Sequence, residues 1–101
     1  MNIPKKFKVG GQWFEVEFKD LIDNGDNYGD FSYCPPIIRL ATKYKDLDTG
    51  QLRDIPENQM ENTFKHEIVH MWQYMSGNET SETVASTFAA FWCEFDETKE
   101  Y

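Results

Sequence analysis

Cationic side chains are scarce: ten lysines and arginines stand against eighteen acids, for a net charge of -8. They are scattered along the chain rather than gathered, which argues against nucleic acid or an anionic membrane as a partner. Long apolar runs are missing too. Nowhere do eighteen apolar residues follow one another, and the N-terminal "MNIPKKFKVGG" has lysines without the apolar stretch of a signal peptide. The expectation is a cytoplasmic protein with no membrane span. Cysteine is nearly absent. Cys34 and Cys93 form no C-x-x-C pair and lie at finger spacing from no histidine, so two reduced thiols are expected, the alternative being a disulfide between them.

What is plentiful is aromatic side chain, 16% of the 101 residues. These supply the large apolar groups of a folded core, and the length fits one domain spanning residues 1–101. No internal repeat or low-complexity tract interrupts it, and the acidic "DETKEY" at the end is expected to fray.

In "FKVGGQWFEVEF" a turn at Gly10-Gly11 separates two extended runs, the second alternating Phe14, Val16 and Phe18 with Glu15 and Glu17; this predicts a β-hairpin with one buried face. "DLIDNGDNYGD" reads as a loop. "FSYCPPIIRLAT" reads as two extended pieces split by Pro35-Pro36, and the neighbouring prolines place the second, Ile37 to Thr42, at a sheet edge. A turn follows at Asp48-Thr49-Gly50. Asp54 and Glu57 have the spacing of a capping box around Pro56. From Glu57 to Met75, Met60, Phe64, Ile68, Met71, Trp72 and Met75 recur at steps of three and four, an amphipathic helix ended by Gly77. A second helix is expected from Glu82 to Phe95, with Val84, Ala85, Phe88, Phe91, Trp92 and Phe95 on its core side. The fold class is α+β.

The chain has two histidines, and both stand in "TFKHEIVHMW". At about 100° per residue, His66 and His70 fall nearly opposite the stripe of Phe64, Ile68, Met71 and Met75. Imidazoles four residues apart project one above the other and can reach one ion at about 2.0–2.1 Å. Glu67 points to the side of the pair. This is the H-E-x-x-H pattern, in which two histidines hold zinc and the glutamate takes a proton from the water that zinc activates. A catalytic zinc needs a third protein ligand. With no further histidine and no paired cysteines, that ligand is expected to be a carboxylate, and Glu82 on the next helix is favoured over Glu79 in the turn "GNETS".

"HEIVH" followed by "ETVASTFAA" resembles the glutamate-type zincin metallopeptidases, whose second helix supplies the third ligand. The order of "FKVGGQWFEVEF", "YGDFSY", "IIRLAT", "TFKHEIVHMW" and "SETVASTFAAF" is also similar to that of short H-E-x-x-H proteins of bacteriophages and prophages, and to miniature single-domain gluzincins. The resemblance implies a zincin-like domain, with an antiparallel or mixed sheet of three to four strands packed on an active-site helix and a second, ligand-bearing helix. It implies zinc held by His66, His70 and Glu82, Glu67 as general base, and a peptide or protein substrate. Ser86 departs from larger members, which carry an aspartate there to support a histidine. Tyr74 or Tyr28 would have to steady an oxyanion.

Asp48-Thr49-Gly50 matches the signature of aspartic proteases, but those place it between apolar strands. Here Lys45, Asp46, Gln51 and Arg53 surround it, so it is read as a turn. A rival reading keeps zinc but denies the chemistry, making the chain a phage-type interaction module. A third denies the metal as well and leaves a purely structural protein.

Overall fold

The computed structural model describes residues 2–77 and 79–100. Its elements are β1 (Lys6–Val9), β2 (Gln12–Lys19), β3 (Gly29–Tyr33), β4 (Pro36–Ala41), β5 (Lys43–Lys45), β6 (Leu52–Asp54), α1 (Glu57–Met75) and α2 (Glu82–Thr98). The fold is α+β: a mixed four-stranded sheet of order β1-β2-β4-β3 and a two-stranded ribbon of β5 and β6. No helix among the described residues is long and apolar enough to cross a membrane.

Gly10 and Gly11, at φ 58° and 80°, turn β1 into β2 through the left-handed region that a two-residue hairpin turn requires. Asp48 to Gly50 turns β5 into β6 in the same region of the chain that resembled a protease signature, with the Gly50 N–H donating to the Asp46 carbonyl. Phe14, Ile38 and Leu40 are buried and meet Phe64 and Met71 of α1 in the main core. Phe7 stacks on Phe14 at 5.7 Å and meets Phe64 edge-on at 5.6 Å. A second cluster of Ile22, Ala41, Ile55 and Met60 closes the other end. On β2 the burial fades outward, from buried Phe14 through half-buried Val16 to exposed Phe18.

Four sequence expectations are corrected. The strand at Ile37 to Thr42 is not an edge: β4 pairs in parallel with β2 and antiparallel with β3. Pro36 opens the strand opposite Tyr33, where a proline removes no needed ladder bond, so its presence says nothing about the strand's position. The edge is β3. Second, the capping box does not form. Pro56 occupies the cap of α1, its carbonyl accepting from the Gln59 and Met60 N–H groups, while Asp54 is drawn to Lys43 across the ribbon. Third, α2 runs past Phe95 to Thr98, because Asp96 binds Lys65 of α1 at 2.5 Å and holds that turn.

The fourth correction concerns the helix faces. Trp72 and Met75 of α1 and Val84, Phe88, Phe91 and Phe95 of α2 are all exposed. What α2 buries is Ala85 and Ala89. Small residues let α2 lie close against α1, and α1 in turn covers the sheet, so the layers run sheet, α1, α2. The aromatic stripe of α2 therefore has no layer above it. The Cα radius of gyration is 14.2 Å, against about 13 Å for a globule of this length.

Candidate metal centre

The stacking of α2 on α1 buries the side of α1 opposite the sheet, and that side carries the histidines. His70 is buried and His66 half-buried. The first turn of α2 is fixed by Ser81, whose hydroxyl accepts from the Val84 N–H. This sets Glu82 over the two imidazoles: its carboxylate oxygens lie 3.1 Å from His66 Nε2 and 2.9 Å from His70 Nε2, and the two Nε2 atoms are 3.0 Å apart. Among the described residues, His66, His70 and Glu82 form the one group of donors able to hold a metal ion. Glu79 is exposed and stands outside it.

The far nitrogens explain why these donors converge. The Ser81 N–H donates to Gln73 Oε1, which fixes that amide with its oxygen toward His70. The same oxygen lies 3.1 Å from His70 Nδ1, so Nδ1 carries the proton and Nε2 turns a lone pair outward. Ser86 Oγ, 3.3 Å from His66 Nδ1, can accept that ring's proton in the same way. Serine thus stands where the resemblance implied aspartate, and reaches a histidine ring nitrogen. Two imidazole lone pairs and a carboxylate within 3.1 Å of one another repel unless a proton or a metal cation lies between them. Separations of this size suit ligands on one small ion with bonds of about 2.0–2.1 Å, and the neutral imidazole and carboxylate set suits zinc. The residues present fit the metal.

Glu67 is buried. It lines, with His66 and Glu82, a cleft of about 360 Å³ walled by Asn27, Tyr28, Gly29, Asn62 and Thr63. Burial, then the neighbouring charges of Asp30 and Glu82, push its carboxyl pKa up to about 8. A dication beside it favours the ionised form and pulls the value back down. Gly29 is required here by space, since a Cβ on it would lie 2.7 Å from Thr63 Cγ2. Tyr28 belongs to the cleft wall, whereas Tyr74 stacks on Tyr33 at 5.2 Å and is not among the residues that line the cleft.

The sequence reading missed Gln73. Its signal was its position three residues after His70, on the same helix face. It also missed Lys65, buried between Asp96 and the Trp92 ring, 5.2 Å from the ring centre, which ties the far half of α2 to α1. The Lys65 ammonium holds the Asp96 carboxyl below the usual range. Burial pushes the Cys93 thiol up. Cys34 and Cys93 are unpaired. No protein-family model matches the chain, and no curated protein or solved structure proves significantly similar to it.

Proposed function

We propose that the protein is a small zinc metallopeptidase. The observation that carries this reading is the convergence of His66, His70 and Glu82 within 3.1 Å of one another beside the buried carboxyl of Glu67, on one cleft. His66, His70 and Glu82 hold the ion, with Gln73 and Ser86 fixing the ring tautomers. Zinc held this way supplies Lewis-acid polarisation of a carbonyl and lowers the pKa of water. Glu67 accepts a proton from the attacking water and returns it to the leaving amine. Tyr28, which lines the cleft, is the candidate donor to the developing oxyanion.

The cleft also has a wall of backbone. The Ala41 N–H donates to the Tyr28 carbonyl, and from that bond the alternation of the ladder turns the backbone groups of Gly29, Phe31 and Tyr33 away from β4, to the free edge. An extended peptide pairs along β3 and brings its scissile bond to the cleft.

The test combines metal analysis of protein purified without chelator with cleavage of a broad peptide library. Zinc at one equivalent and cleavage lost in Glu67→Gln, with zinc retained, is the expected result. Backbone N-methylation of a cleaved peptide next to its scissile bond should stop its turnover. Protein that contains zinc but cleaves nothing would favour the second reading, a zinc-pinned interaction module, which the exposed aromatic face of α2 supports. Protein without metal would reject both.

A further inference from the structure

We propose that the exposed face of α2 is the interface of a homodimer, with the same face of a second copy as its occupant. On a helical projection at about 100° per residue, Val84, Phe88, Phe91, Trp92 and Phe95 form one unbroken stripe. Ala85 and Ala89, which face α1, lie to one side of it. Glu94 and Glu97 point elsewhere, so the stripe carries no charge. Phe91 and Phe95, 71% and 57% exposed, stand out as its ridge, and Phe88 and Trp72 are 52% and 59% exposed.

Size supports an interface between proteins. With roughly 200 Å² for each aromatic side chain, these four expose about 480 Å². Met75 and Val84 lie beside them and are also exposed. The patch is then at the upper end of the roughly 300–600 Å² found on monomers. It supplies most of the roughly 800 Å² that each partner of a standard interface buries, the rest being polar rim.

Self-complementarity points to a second copy. Beside the ridge runs an apolar groove of about 570 Å³, lined by Val9, Ile68, Trp72, Met75, Phe88 and Trp92. A two-fold axis places the ridge of one copy in the groove of the other, and the reverse, so that both contacts close. The net charge of -8 gives two copies a long-range repulsion. The uncharged stripe is where they can meet. Salt then strengthens association by screening that repulsion, the opposite of what a basic partner would show.

The experiment is sedimentation equilibrium on the full chain, at concentrations on the order of 1–100 μM. The expected species is a dimer of the 11.9 kDa chain, tighter in higher salt. Phe91→Asp should weaken it by about a hundredfold or more, because each substitution occurs twice in a two-fold interface. Leu47→Asp, at a residue 99% exposed on the β5–β6 turn, should leave it unchanged. Circular dichroism checks that Phe91→Asp keeps its helices, and Phe95→Asp replaces it if it does not. A wild-type monomer throughout that range overturns the proposal, whether or not another protein binds the face. So does a dimer indifferent to both aspartate substitutions, or one that salt weakens.

Discussion

Gln73 is where the fold and the metal centre can be tested together. Its Oε1 accepts from the backbone of Ser81, at the cap of α2, and from His70 Nδ1. Gln73→Met keeps the size of the side chain and removes the acceptor. Two donors then lose their partner in a place that is nearly dry, at about 1–3 kcal/mol each. With the Ser81 donor at the low end of that range, the loss is roughly 2–4 kcal/mol. For a domain of about 100 residues, that lowers the melting temperature by about 10–20 °C. His70 is also released to rotate and to exchange tautomers, which costs about 10–100-fold in metal affinity. Thermal unfolding followed by circular dichroism measures the first effect, and competition against a chromophoric zinc chelator the second. Gln73→Glu retains an acceptor at the same place and should recover most of the zinc affinity. Wild-type zinc affinity in Gln73→Met would refute the tautomer argument, and with it the claim that both Nε2 lone pairs face one point.

Chelation of the zinc-loaded protein should lower its melting temperature, because the ion ties α2 to α1; a transition that ignores the chelator would count against that. Glu82→Ala should reduce zinc affinity by orders of magnitude and Glu79→Ala should leave it nearly unchanged, with the reverse ranking in a metal titration moving the ligand into the turn. Asp96, its carboxyl pKa held low by Lys65, contributes stability that is present above the unfolded pKa of about 3.9 and is lost as pH falls through the lower folded value. Asp96→Asn should therefore melt below the wild type near neutral pH, with the gap closing in acid; a gap independent of pH would show that the ion pair is not its cause.

Local signals in the sequence were reliable where one neighbour decides the outcome. The Gly10-Gly11 turn and the extent of α1 from Glu57 to Met75 follow from local backbone signals, and each is found where the sequence puts it. Ala85 and Ala89 are what meets α1, and their small side chains let the helix that carries Glu82 approach the imidazoles. The failures come from questions that periodicity cannot answer. A stripe such as Val84, Phe88, Phe91 and Phe95 shows that a helix has an apolar face, but not whether this chain supplies a layer to cover it. Likewise, prolines beside β4 constrain its first residue and not its neighbours in the sheet. Gln73 was lost because a buried amide reads as an ordinary polar residue until its partners are placed in space.

The candidate ion donors, Glu67 and the groups that orient the imidazoles are close in the chain. His66, Glu67, His70, Gln73, Ser81, Glu82 and Ser86 all belong to α1, the turn after it and the start of α2. A helical hairpin alone thus encodes the donors, their tautomers and their spacing, and such a cassette is portable in principle to another scaffold. The basicity of Glu67 is only partly portable. It arises from burial, from the charge of Asp30 on β3 and from that of Glu82 on α2, and a hairpin alone would lose the Asp30 contribution. The two parts of the chain therefore contribute differently: α1 and α2 carry the three candidate donors, and the sheet adds the Asp30 charge that raises the carboxyl beside them. A transplanted hairpin would keep the donor set and Glu67 itself, while the Glu67 carboxyl would lose the part of its upward shift that Asp30 supplies.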